Sequence, residues 1–267
     1  MPELPEVETF AHALKPELVG KTILSADLRW ARTLATPSPA QFKKQIVGQR
    51  IVDISRRAKY LILHLEDYSF LIHLRMSGDL IIRRGKIKPE KHDRLLLHLS
   101  NQKTLAFNDT RKFGRVWLTD QPDEILGKLG PEPLEEQFTA QWLFENLHTR
   151  QRQLKPLLLD QNFLAGLGNI YTDECLHIAK LHPQRASNTV SQKQAAALRE
   201  AIRAVLAEGI RRNGASIDWV YRGGDFQNYF RVYGRDGEPC PVCGSSIQKL
   251  TVGQRGTHIC PNCQRMR

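Results

Sequence analysis

Four cysteines near the C-terminus constrain this chain more than any other stretch. Cys240-Pro-Val-Cys243 and Cys260-Pro-Asn-Cys263 form a C-x2-C, x16, C-x2-C pattern, inside the spacing of a tetrahedral thiolate zinc site. Each short turn offers two thiolates to one ion, and the interval between the pairs suits a β-hairpin. Two disulfides are the rival, and they need an oxidising compartment. The acidic N-terminus has neither the basic nor the apolar region of a signal peptide, and no apolar run approaches the ~20 residues of a membrane span. A cytoplasmic protein with one structural Zn2+ is therefore expected. Cys175, in the apolar run Cys175-Leu-His-Ile, reads as an ordinary buried thiol.

Between the cysteine pairs lies Thr251-Val-Gly-Gln-Arg255-Gly-Thr-His. Arg255, among small residues at the expected hairpin tip, suits a long donor aimed at phosphates or a minor groove. The plainer reading is a zinc-stapled ribbon that contacts protein. Charge bears on the choice: the 267 residues carry a net +11, which favours a polyanionic partner such as nucleic acid over an anionic membrane or solubility alone. The length is that of two modest domains with a real core.

Along the chain, Val7, Phe10, Leu14 and Leu18 recur at helical spacing and Gly20 stands where a helix would stop. Alternation then predicts strands over 51–55, 61–65, 70–76, 80–83, 95–99, 104–108 and 116–119, a layered antiparallel sheet. On this pattern Met76 is a core residue. The Gly/Pro-rich stretch Leu129-Gly130-Pro131-Glu132-Pro133 reads as a linker into a helical region. Helices are expected around Trp142–Leu147, over Leu154–Leu159, from the Gly166-Leu-Gly168 turn to about Lys180, and from Ser191 to Gly214. Ser191 and Gln194 form a capping box for the last of these. The Gly166–Gly168 turn lacks the third glycine of a dinucleotide fingerprint. Its backbone N–H groups suit a helix cap or a phosphate.

The first eight residues, MPELPEVE, crowd three carboxylates (Glu3, Glu6, Glu8) beside Pro2. In isolation they read as a helix entry, with Pro5 in the first turn and acids at the positive end of the dipole. Removal of Met1 would make Pro2 a secondary amine. A terminal amine titrates near pH 8, and one that attacks a sugar carbon forms a Schiff base.

Taken together, MPELPEVET, Arg57-Ala-Lys59-Tyr60, His73-Leu-Arg-Met76-Ser-Gly, Asp109-Thr-Arg111-Lys-Phe113-Gly, Leu157-Leu-Leu-Asp-Gln, Ala165-Gly-Leu-Gly-Asn169-Ile-Tyr and Arg255-Gly-Thr-His-Ile-Cys260-Pro-x-Cys263-Gln resemble the bacterial formamidopyrimidine-DNA glycosylases, in family order from Pro2 to the last cysteine. The resemblance implies an α+β chain. An N-terminal antiparallel β-sandwich flanked by helices would span 1–130, a helix-two-turns-helix domain 131–222 and a zinc-finger β-hairpin 223–267. It implies a monomer acting on damaged double-stranded DNA as glycosylase and abasic-site lyase, nucleoid-associated through its substrate.

By the same resemblance Pro2 attacks C1′, Glu3 is a general acid/base, Glu6 belongs to the same pocket and Lys59 holds phosphate near the lesion. A solvated basic strand is the alternative for Lys59. Met76, Arg111 and Phe113 would enter the duplex, filling space, facing the estranged cytosine and wedging a base step. His73, Lys155, Asn169 and Arg255 are carried over as phosphate contacts, Arg255 also within the catalytic set; a satisfied structural histidine is the other reading of His73. Three departures stand out: Ala58 and Gln254 where the family usually has glycine, and Gly214-Ala215-Ser216 where a Gly-Gly-Thr-like sequence is common. The rivals are an endonuclease VIII-like enzyme for oxidised pyrimidines and a non-catalytic zinc-ribbon DNA-binding protein.

Overall fold

The computed structural model describes residues 2–85, 87–216 and 223–266. Met1, residues 217–221 and Arg222, the last residue expected in the helical domain, lie outside the described residues. The chain packs as two units, one holding Pro2 and Glu6–Lys128, the other Glu3–Pro5, Leu129–Ala215 and the segment from Gly223.

In the first unit, helix α1 (Leu4–Leu18) buries Val7, Phe10, Leu14 and Leu18, the face its spacing predicts. Gly20 follows at φ 80°, a left-handed position that glycine takes without strain. Next come β1 (Ile23–Leu28), β2 (Leu34–Thr36) and α2 (Pro39–Ile46), which the alternation rule passed over. A signal for α2 was present: Ser38 and Gln41 form a capping box and Pro39 opens the helix.

The remaining strands are β3 (Ile51–Arg57), β4 (Tyr60–Leu65), β5 (Ser69–His73), β6 (Gly78–Arg84), β7 (Asp93–Leu99), β8 (Lys103–Asp109) and β9 (Arg115–Thr119), followed by the short α3 (Asp123–Leu126). They form sheets ordered β1-β7-β8-β6 and β2-β9-β5-β4-β3. Leu61, Leu63, Phe70 and Ile72 from one sheet share a core with Leu95, Leu97, Leu105 and Phe107 from the other. That is the expected sandwich, with one exception to its antiparallel pairing: β2 runs parallel to β9.

One strand expectation is corrected. Pairing of β5 with β9 stops at His73↔Arg115. The chain then turns through Arg75 at φ 56°, and Met76 is 41% exposed. Alternation continued in sequence past the residue where the neighbouring strand ends, so Met76 is not core.

In the second unit, Thr139 caps α4 (Ala140–His148), followed by α5 (Leu154–Leu158), α6 (Asn169–Ile178) and α7 (Gln192–Arg211). The Ser191–Gln194 capping box of α7 forms as predicted. Leu143, Leu157, Tyr171, Leu176, Leu198, Ile202 and Leu206 make the core, joined by Leu4; each buried aliphatic contributes about 1.5–3 kcal/mol. The chain ends in a hairpin of β10 (Gln248–Val252) and β11 (Arg255–Ile259). No helix among the described residues is long and apolar enough to cross a membrane.

Candidate active site and nucleic-acid interface

In the second unit, the acid that follows Pro2 is held at a helix end. Glu3 is 2% exposed, and its Oε1 accepts the N–H of Ile170 at 3.0 Å in the first turn of α6. The N–H of Leu4 donates to the carbonyl of Gly166 at 3.2 Å, and Gly166 itself sits at φ 96°. A Cβ on Gly168, the residue that caps α6, would lie 2.2 Å from Cδ of Glu3, so only glycine leaves room for the carboxylate. The turn that suited a cap or a phosphate is thus filled by the chain's own acid, in the place where the helix dipole favours an anion.

Helix α6 is buried on nearly every side and carries Asp173, Glu174 and His177 into the interior. The carboxylate of Glu174 accepts the N–H groups of Arg231, Val232 and Tyr233 at 2.8, 3.0 and 2.9 Å. Burial pushes the Glu174 carboxyl up while those donors oppose the rise. Asp173 accepts the N–H of His258 on β11 at 2.9 Å and the ammonium of Lys155 at 2.6 Å. Asp173, Glu174 and His177 were not singled out from sequence. Two adjacent acids in an otherwise apolar helix are the signal that could have found them, because a buried carboxylate needs donors.

Lys155 is tied into the same network. Its side chain is fully enclosed, and Nζ donates to Asp173 and, at 3.0 Å, to the carbonyl of Gly256. Burial lowers its affinity for the proton and Asp173 works against that. Lys155 therefore holds β11 at Gly256, next in sequence to Arg255. Asn169 Nδ2 donates to the same Gly256 carbonyl at 2.9 Å. Arg255 is exposed at the start of β11, paired with Val252 across the Gly253-Gln254 turn. The turn beside it is fixed from below while its own guanidinium faces outward.

The four cysteines converge. Their Sγ atoms all lie within 4.8 Å of one another, with pairs at 3.4, 3.6 and 3.9 Å. A tetrahedral zinc with bonds of about 2.3 Å sets its sulfurs about 3.8 Å apart, whereas a disulfide would need about 2.05 Å. Hydrogen bonds from Ser245 pull the Cys243 thiol down to about 5, while burial, then the neighbouring sulfurs, push Cys263 up. Such crowding of sulfur calls for a cation, and the four residues fit one zinc. His177 Nε2 lies 3.4 Å from Cys240 Sγ, and Gln264 accepts the N–H of Cys260 while donating to the carbonyl of Leu181. Cys175 is buried and reduced, as its sequence context indicated.

In the first unit, Glu6 lies in the first turn of α1 and is 2% exposed. Glu8 accepts from Arg56 at 2.6 Å. Pro2 is buried. Lys59 is also buried, in the two-residue turn joining β3 to β4, which begins with Ala58 at φ 53°. A buried lysine at a hairpin end is no solvated strand face.

His73 Nδ1 accepts the N–H of Arg75 at 3.0 Å, so the neutral ring carries its proton on Nε2. Burial lowers its pKa to about 3, helped by Arg75 and Lys59. It is a satisfied histidine whose free ring position is a neutral donor, so both sequence readings are compatible with its geometry. Met76 and Phe113 are exposed at 41% and 48%, and the Arg111 guanidinium lies 4.9 Å over the Phe113 ring, a cation–π pair that holds two long side chains side by side.

Comparison with known proteins covers the whole chain. A model described as the formamidopyrimidine-DNA glycosylase N-terminal domain matches residues 1–116, its H2TH domain matches 129–220, and a zinc finger found in FPG and IleRS matches 237–265. Curated relatives named formamidopyrimidine-DNA glycosylase include one from Pelotomaculum thermopropionicum, 43% identical with all of both chains covered. Another, from Chloroflexus aurantiacus, is 46% identical over 99% of this chain and 98% of its own. Among solved structures, the Lactococcus lactis Fpg (MutM) in complex with an N7-benzyl-Fapy-dG containing DNA superposes with a TM-score of 0.93 at 40% identity, covering 99% of this chain and 100% of that one. A MutM complex with carbocyclic 8-oxo-G containing DNA gives the same values.

Proposed function

Because the chain belongs to the formamidopyrimidine-DNA glycosylase family, we infer that it is a base-excision-repair DNA glycosylase that removes oxidised purines from duplex DNA, and we assign the chemistry to its N-terminal residues. The full-length match sets aside a bare zinc-ribbon binding module. The observation that carries the site assignment is Glu3, a buried acid next in sequence to Pro2 and fixed by α6 and by the absence of a side chain at Gly168.

Once Met1 is removed, the lone pair of the Pro2 imino group forms a bond to C1′ as the bond from C1′ to the base breaks; the base leaves with the electron pair and gains a proton, and the Pro2 nitrogen loses its own. Glu3 donates a proton to the sugar ring oxygen as the ring opens, which leaves a Schiff base on Pro2. Proton losses from the sugar then expel the 3′ and 5′ phosphates by β- and δ-elimination. Glu6 and Lys59 serve the same chemistry. Met76, Arg111 and Phe113 occupy the helix after the nucleotide leaves it, and His73, Asn169 and Arg255 face the backbone. One zinc, held by Cys240, Cys243, Cys260 and Cys263, supplies folding energy to the hairpin that presents Arg255. A substrate in bacterial chromosomal DNA would place the enzyme in the cytoplasm.

Borohydride trapping on duplexes containing 8-oxoguanine tests this reading. The mature, zinc-loaded chain is expected to form a covalent adduct, and the same chain acylated at its terminus is expected to form none. Equal trapping by the acylated chain would remove Pro2 from the mechanism. Glu3→Gln is expected to slow single-turnover excision at least ~100-fold, the usual worth of a general acid.

A further inference from the structure

The two segments assigned above to enter the duplex come from separate places in the sequence, yet they leave the same sheet end. Gly78, at the start of β6, pairs with Asp109, at the end of β8. The turn carrying Met76 thus runs into the sheet beside the point where the turn carrying Arg111 and Phe113 runs out. Two residues of β8 on one face serve both. Phe107 lies against Gly78 and Gly114, where a Cβ would come within 2.8 and 2.3 Å of its ring. Asp109 is completely buried. Its Oδ1 accepts the Ser77 hydroxyl and, at 3.2 Å, the Arg111 N–H; its Oδ2 accepts the Gly114 N–H at 2.7 Å. The Arg111 N–H is shared with Ser77 Oγ at 3.3 Å, so the hydroxyl bridges the two turns directly.

We propose that Asp109 is a positioning residue that locks these two turns into one rigid wedge, so that Met76, Arg111 and Phe113 enter the helix as a single body. This rests on the insertion roles assigned above. A wedge must bear the cost of unstacking a base step, and an exposed turn free to shift would yield to the stacked bases instead. Three donors from two turns on one carboxylate need both oxygens. Asparagine presents one acceptor, so Asp109→Asn must release Gly114 or the Ser77–Arg111 pair while keeping the side-chain volume.

The test is a double-mutant cycle on lesion excision under single-turnover conditions, with Met76→Ala and Phe113→Ala in the native and the Asp109→Asn backgrounds. Each reaction is run on a duplex and on the same lesion in an unpaired bubble. In the native background the two truncations are expected to be non-additive on duplex by about fivefold or more, as for coupled groups. In the Asp109→Asn background their effects are expected to multiply. Asp109→Asn alone is expected to lower duplex excision about tenfold, the effect of a lost hydrogen bond to a charged group, and bubble excision less than about twofold.

Coupling that persists without the carboxylate, or equal losses on duplex and bubble, would overturn the proposal. If neither truncation affects the duplex, the insertion roles fail first. Should Asp109→Asn not fold, Ser77→Ala, which removes only the bridging hydroxyl, takes its place in the cycle.

Discussion

Ala58 and Gln254 stand at φ 53° and 63°. Both begin or end a two-residue hairpin turn, at positions where a Cβ crowds the backbone. Ala58→Gly and Gln254→Gly are each expected to stabilise the fold by about 0.5–1 kcal/mol, relief of the left-handed strain outweighing the entropy of a freer unfolded chain. Denaturant midpoints would show it, and no gain at either position would mean that these turns carry no strain. His73 gives a pH expectation. Its folded pKa is about 3 against ~6.5 unfolded, so between those values the unfolded chain binds the extra proton. Stability from this residue is therefore complete above pH 6.5 and is lost as pH falls toward 3. NMR titration is expected to show a neutral His73 ring still at pH 5; a midpoint near 6.5 would refute its burial and pairing.

At the scale of elements, α6 does more than fill a core. Its first turn seats Glu3, its middle holds β11 and residues 231–233, and its last turn reaches Cys240. Lys155→Met is expected to cost about 3–5 kcal/mol, because it leaves Asp173 as a buried charge without its cation. Amide exchange over 255–258 should rise with it; unchanged exchange there would mean that Lys155 does not hold β11. Much of this architecture was legible in the sequence where a local rule is decisive: the Cys pairs, the Ser191–Gln194 box, the buried face of α1 and the paired strands of the sandwich. What was not legible depends on partners far away in sequence. Nothing in Ser69–Met76 says that β9 begins only at Arg115, opposite His73, so Met76 was read as core. Lys155 looks like any basic residue until Asp173 and Gly256 close over it.

For the whole molecule, the zinc cluster and the sandwich belong to different packing units. Chelation is expected to raise deuterium uptake across β10, β11 and residues 231–233, while β3 to β9 keep their protection. Uniform loss across both units would show a single cooperative structure instead. The seat of Glu3 also bears on how the chain is made. Residues 3 and 4 are synthesised more than 160 positions ahead of the groups that receive them, Gly166 and Ile170. At roughly 5–20 residues per second, these two residues wait on the order of ten seconds or more for their partners. Until then the Glu3 carboxylate stays in water, so its seat at the start of α6 is completed only after more than half of the chain has been made.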